Sequence, residues 1–201
     1  MENETIRQFI EYRDKTGDRK ALYKAVATEF SVKSAAYPGS FIDISPSLVI
    51  PEVTYIDNFK GAVKFFRDID SIKEYIEANK EYTEQTHIDF IGQDYTDPMN
   101  IDKVDLIISQ YAGFVGQATK YLLKKGGILL CNDSHGDATL AKHDEYEFIG
   151  VVNNSNVIVR KDLDKYFRLP GGKPVDIEKV KQSMKGPKYT SSAANYLFLK
   201  K

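Results

Sequence analysis

Two carboxylates and one turn hold the most readable chemistry in this sequence. Tyr37-Pro38-Gly39-Ser40 ends a short apolar run in a Pro-Gly turn, and the β-rich run Val53-Thr54-Tyr55-Ile56 stops at Asp57. That spacing suits a nucleoside-binding α/β domain. In such a domain the first turn brings backbone close to the ligand, and an acid at the tip of the second strand takes two ribose hydroxyls. A third β-rich run, His87-Ile88-Asp89-Phe90-Ile91, opens into Gly92-Gln93-Asp94, and a fourth, Val104 onward, closes at Ser109. A second carboxylate such as Asp94 can accept from an exocyclic amine. The plainer alternative for both acids is a solvated turn residue ending a strand.

A second polar cluster follows the apolar run Ile128-Leu129-Leu130-Cys131. It reads Asn132-Asp133-Ser134-His135-Gly136-Asp137. His135 has the proton affinity for general-base work near neutral pH. Alternatively, Asp133 and Ser134 cap the next helix and His135 lies on the surface. His87 and His143 read as structural or solvated. Cys131 reads as a buried small hydrophobe, with a reactive thiol as the alternative.

These residues need elements to position them. Helical spacing is expected at Ile6, Phe9 and Ile10, and again at Leu22, Val26 and Phe30, with Thr16-Gly17-Asp18 between. Ser45-Pro46 reads as a cap and first residue of a short helix. Residues 61–66 and 71–82 read as helical, as does 112–123, which Lys124-Lys125-Gly126-Gly127 would end. The stretch 128–131 is a fifth strand. Residues 148–152 and 157–160 form a hairpin around Asn153-Asn154-Ser155-Asn156, Asp176 to Met184 is a short helix, and 196–199 is a last strand. Strands alternating with helices predict an α/β fold, a Rossmann-like and mostly parallel sheet with helices on both faces, and the late hairpin and last strand predict an antiparallel C-terminal edge. One domain over 1–201 is expected, with a helical flank at 1–32 and a basic insertion at 161–189 before the last strand.

In this order the motifs resemble the class I S-adenosylmethionine-dependent methyltransferases. Leu122-Leu123-Lys124-Lys125-Gly126-Gly127-Ile128-Leu129-Leu130 is similar to the leucine-rich helix, Lys-Pro-Gly-Gly turn and apolar fifth strand of that family. The resemblance covers roughly residues 30–160 and the last strand. It implies S-adenosylmethionine as cofactor, held by Tyr37, Gly39, Ser40, Asp57, Asp94 and Ser109, and a small-molecule substrate near Asn132 and Asp133. Tyr111 and His135 become the candidate catalytic residues. The family's first loop reads acid-x-Gly-x-Gly-x-Gly. Aligned on Gly39, this chain has Tyr37, Phe41 and Asp43 instead of the acid and the later glycines. A phenylalanine where backbone meets cofactor requires a rerouted loop. Metal-dependent O-methyltransferases carry an Asp-Asn pair where this chain has Asn132-Asp133, so no metal is expected. The Asn/Asp-Pro-Pro-aromatic signature of base N-methylation is absent from Ser109-Gln110-Tyr111-Ala112.

Three functions are therefore weighed. The first is a small-molecule methyltransferase. The second is a methyltransferase-like binding or regulatory protein without catalysis, suggested by Phe41. The third is another nucleotide-binding Rossmann-like protein, which lacks a second glycine between Gly39 and Gly61.

Composition narrows the class further. The chain has 201 residues, 42% hydrophobic and 28% charged, as in an ordinary globular protein. No run of 18 apolar residues argues for a membrane span, and the acidic start Met1-Glu2-Asn3-Glu4 lacks a signal-peptide core. The single cysteine fits a reducing compartment, and a cytoplasmic location is expected. The net charge of −1 divides unevenly, +7 from Arg160 onward and −8 before it. The basic segment is either a solvated surface or a site for an anionic partner. No aromatic interleaving specifies nucleic acid. The oligomeric state is not legible.

Overall fold

A computed structural model describes residues 3–201, which form two compact units, 3–98 and 99–201. The first unit begins with α1 (Glu4–Thr16), capped by Asn3, whose side chain accepts from the Thr5 and Ile6 N–H groups. Helix α1 turns Ile6 and Phe9 inward and ends at Gly17, whose φ of 93° no larger residue adopts readily. Helix α2 (Lys20–Phe30) buries Leu22, Tyr23, Val26 and Ala27. Strands β1 (Ser34–Pro38), β2 (Glu52–Ile56) and β3 (His87–Ile91) pair in parallel in the order β3-β2-β1. Every residue of β1 is buried, as expected of a strand with both faces covered. Between β2 and β3 lie α3 (Lys60–Phe65) and α4 (Ile69–Asn79), the latter burying Ile72 and Ile76. The expected cap at Ser45 does not form. Residues 45–48 are a 3₁₀ turn with Ile44 at the cap position and no side-chain bond.

The second unit holds β4 (Val104–Ser109), α5 (Val115–Ala118), β5 (Leu123–Cys131), α6 (Asp137–Lys142), β6 (Tyr146–Val152), β7 (Ile158–Val159), α7 (Ile177–Ser183) and β8 (Asn195–Lys200). Its strand order is β4-β5-β8-β6-β7. Strands β4 and β5 are parallel, while β8 runs antiparallel between β5 and β6. The hairpin of β6 and β7 pairs Val152 with Ile158. The chain is thus an α/β protein with a mostly parallel sheet and an antiparallel C-terminal edge.

One expected element is corrected. The helix predicted over 112–123 is only the four residues of α5 plus a 3₁₀ turn at 120–122, and Lys124-Lys125-Gly126-Gly127 lies inside β5 instead of ending a helix. Leu123 already pairs with Val104, whereas Ile128 pairs with Leu106, so the Lys-Lys-Gly-Gly stretch bulges out of the ladder. Gly126, at φ 77°, makes that bulge possible.

The segment after β7 is polar but anchored. Phe167 packs on Phe148 and Tyr196 at ring separations of 5.0 and 4.9 Å, and Tyr166 adds edge contacts to the same two rings. Val180 of α7 is buried, and Thr190 N–H donates to the Arg168 carbonyl. Among the described residues no helix is long and apolar enough to cross a membrane.

Candidate functional site

In the first unit, the carboxyl ends of β1, β2 and β3 bring together Gly39, Asp57 and Asp94. The Gly39 N–H extends the ladder to the Ile56 carbonyl at 2.7 Å, and the Asp57 N–H donates to the Ile91 carbonyl at 3.1 Å. Gly39 (φ 67°) and Phe41 (φ 49°) both turn left-handed, so the chain reverses sharply after β1. This reversal aims the Phe41 N–H at Asp57 Oδ2, 2.8 Å away. Asp57 Oδ1 accepts from the Phe59 N–H, also at 2.8 Å. The Phe41 ring packs between Tyr12 and Phe59, with centroid separations of 5.2 and 5.7 Å. Gly61 lies under this cluster, where an added Cβ would stand 2.6 Å from Phe59 Cε1.

Asp94 is tied to the same corner by Asn58, whose Nδ2 donates to Oδ2 at 3.0 Å. The Thr96 N–H, then the Thr96 hydroxyl, hold its carboxyl below the ordinary range. The Ser40 hydroxyl turns to its neighbour's carbonyl, Phe41 O, at 3.4 Å.

Tyr37 has a different setting. Its ring is buried and its hydroxyl lies 3.3 Å from both Tyr23 Oη and Asp43 Oδ2. Tyr23 donates to the same Asp43 oxygen at 2.9 Å, and Arg19 pairs with it at 3.2 Å. Burial, and after it the Asp43 carboxylate, push the Tyr37 phenol well above its ordinary value. Asp43 is the residue that alignment on Gly39 sets against a loop glycine of the family this sequence resembles. Here it is the hub of a buried network that secures the loop from below, a role with no local sequence signal.

In the second unit, Tyr111, Asn132, Asp133, Ser134, Tyr189 and Tyr196 line a cavity of about 280 Å³. Tyr111, at the exit of β4, has φ 60° and is 59% exposed. A left-handed tyrosine is a strained conformation of the kind found at binding sites. Asn132 Oδ1 accepts from the Ser134 N–H and hydroxyl, and its amide reaches Gln110, which is bonded to Asn195 of β8. Asp133 caps α6 from outside, accepting from the Thr139 N–H at 2.7 Å and the Thr139 hydroxyl at 2.8 Å. Burial nevertheless raises its carboxyl to about 6. Tyr189 reaches the same Thr139 hydroxyl at 2.8 Å. His135 bonds through Nδ1 to Ser134 Oγ at 3.0 Å and is not among the residues lining the cavity.

Ser109 faces Asp137. Its hydroxyl donates to Oδ2 at 2.6 Å, and the Gly116 N–H donates to both oxygens at 3.0–3.1 Å. Asp137 therefore links the ends of β4 and α5 to the first turn of α6. Burial raises its carboxyl to about 7. Cys131 is buried beside it, and burial raises the thiol well above its ordinary value. Among the described residues no group of three or more His, Cys, Asp or Glu could hold a metal ion.

No protein-family profile and no curated protein matches the sequence. Solved structures do match in shape. TehB from Haemophilus influenzae aligns over 98% of this chain and 67% of its own at 13% identity, with a TM-score of 0.56. An S-adenosylmethionine-dependent methyltransferase from Clostridium acetobutylicum aligns over 97% of this chain and 98% of its own, at 12% identity and a TM-score of 0.51. The O-methyltransferase of a trans-AT polyketide synthase from Brevibacillus brevis, solved with S-adenosyl-L-homocysteine, aligns over 98% and 76%, at 13% identity and a TM-score of 0.50. At these identities shape is what is shared: the chain has the Rossmann-like fold of the class I S-adenosylmethionine-dependent methyltransferases.

Proposed function

We infer that this protein is an S-adenosylmethionine-dependent methyltransferase acting on a small molecule. The observation that carries this reading is Asp57, held at the tip of β2 with acceptor capacity to spare. Each of its oxygens takes one backbone N–H. A carboxylate offers about four lone-pair sites, which leaves room for two ribose hydroxyls. Asp94, tied to Asn58, is the acceptor for an exocyclic amine. Gly39 and Ser40 bring the turn backbone to the cofactor, and Ser109 and Tyr37 support that turn and the end of β4. Bound cofactor supplies a methyl group on a sulfonium centre. What the chain contributes is binding and orientation, which carry much of the rate in an in-line displacement. The acceptor molecule belongs in the cavity of Tyr111, Asn132 and Asp133, where the Tyr111 phenol can orient it by hydrogen bonding; His135, one residue beyond the Ser134 of that lining, is the candidate to receive its proton. A cytoplasmic setting fits the single, buried cysteine.

A second reading, binding without catalysis, is favoured by Phe41 and Asp43 at the positions of two loop glycines. Calorimetric titration with S-adenosylmethionine and S-adenosylhomocysteine, followed by an assay of methyl transfer to candidate acceptors, separates the two. Both ligands should bind, and Asp57→Ala should weaken each at least tenfold, roughly 1.4 kcal/mol. Silence from both at millimolar concentration sinks the enzyme reading. Binding undiminished in Asp57→Ala removes the ribose assignment, and binding of NAD instead supports a different nucleotide protein.

A further inference from the structure

The basic segment after β7 encloses a cavity of its own, about 460 Å³, in the second unit. Lys173, Lys179, Lys185 and Lys188 surround it, and Leu169, Pro174, Val180 and Pro187 supply apolar wall. The one acid on its lining, Asp176, is already committed as the cap of α7, accepting from the Lys179 N–H at 3.0 Å. Among the described residues none of the four lysines has an ion-pair partner. Other lysines of the second unit do: Lys181 pairs with Glu178, Lys120 with Asp144 and Glu145, and Lys124 with Asp105. Four like charges around one concave, partly apolar volume focus a positive potential there and attract an anion.

The segment is also built in place. Phe167 and Tyr166 lock its start onto β6 and β8, and Val180 is buried against Gly136, where an added Cβ would stand 2.5 Å from Val180 Cγ1. Gly186 lies directly on Asp133, leaving no space for a side chain. Pro187 lines this cavity on one side and the cavity of Tyr111, Asn132 and Asp133 on the other. The backbone that carries the lysines is therefore anchored around a hollow that shares Pro187 with the candidate acceptor cavity.

We propose that this cavity is a binding site for a small amphiphilic anion, an organic molecule with an apolar body and a phosphate, sulfonate or carboxylate. The anionic group sits among the four lysines and the body lies on Leu169, Pro174 and Val180. If the methyltransferase reading holds, the site selects acceptors that carry such a group; the binding itself does not depend on that reading.

The probe is 8-anilinonaphthalene-1-sulfonate, followed by fluorescence, with the uncharged N-phenyl-1-naphthylamine as its comparison. The wild type should bind the sulfonate at one saturable site, and inorganic pyrophosphate should compete. The Lys179→Ala/Lys188→Ala double variant changes two exposed side chains and should melt like the wild type. It should bind the sulfonate at least tenfold more weakly, while the neutral probe shows no such difference. Equal affinity in the variant, no saturation, or no discrimination between the probes overturns the proposal. So does the outcome in which a single-stranded oligonucleotide or phosphatidylserine vesicles bind through these lysines and the sulfonate does not. Loss of cofactor binding in Asp57→Ala with sulfonate binding intact would leave this site standing independently of the proposed reaction.

Discussion

Asp137 is a carboxylate whose surroundings favour its neutral form. It is 2% exposed, and among the described residues its partners are a hydroxyl and one backbone N–H, with no cation. An unfolded aspartate titrates near 3.9, roughly, whereas Asp137 holds its proton to about 7. The folded state thus binds the extra proton between these values. The stability this contributes is complete below about pH 4 and is lost as pH rises through about 7. Thermal melts of wild type and Asp137→Asn from pH 5 to 8 should diverge in the variant's favour as pH rises, by at most about 1.4 kcal/mol per unit. A constant gap would show that Asp137 is ionised throughout. Asp43 is a buried acid with different partners, Arg19 and two tyrosine hydroxyls. Removing one partner of a buried pair leaves the other charge uncompensated, so Asp43→Ala should cost about 3–5 kcal/mol in urea unfolding. A cost under about 1 kcal/mol would mean that the network is not what secures the loop.

At the scale of elements, two glycines of the second unit make different demands. Gly126 has φ 77° and open space where a Cβ would go, so its constraint is purely conformational. Gly126→Ala should cost about 1 kcal/mol. Gly116 is tight instead: an added Cβ would lie 2.6 Å from Leu129 Cδ2 and 3.1 Å from Asp137 Oδ1. Gly116→Ala forces β5 or α6 to shift and should cost about 2 kcal/mol. Chemical denaturation of the pair separates the effects. If Gly126→Ala were the more damaging, the bulge would be bearing packing as well as turning the chain. The same stretch shows what periodicity misses. Leu122-Leu123 followed by Lys-Lys-Gly-Gly is locally a good helix end, but pairing of Leu123 with Val104 claims it for the sheet. Strand pairing across the chain overrode a local preference.

For the whole molecule, closure of the second unit depends on its last strand. Strand β8 pairs with β5 from Ile128–Leu199 to Cys131–Tyr196, and with β6 from Tyr146–Lys200 to Val152–Asn195. A chain truncated after residue 194 should lose cooperative unfolding of the second unit and exchange its β5 and β6 amides freely, measured by hydrogen exchange. Retained protection of Leu129 and Leu130 would contradict this. Much was legible beforehand. The strands, the tips at Asp57 and Asp94, the late hairpin and the α/β class follow from apolar runs and breakers, which are local properties of sequence. Whether Phe41 could be accommodated was not legible, because the answer is a left-handed backbone and an aromatic niche made with Tyr12 and Phe59. Nor were the partners of Asp43 and Asp137, or the seating of Gly186 on Asp133, for these join groups up to 53 residues apart. The sequence by itself determined the apolar centre of the strands and which acids end them, since apolar runs and chain breakers act within a few residues, whereas the first half of β5 was claimed by its pairing with β4. Only the tertiary structure decided what each carboxylate meets and where the lysines converge, because hydrogen bonds and burial depend on proximity in space.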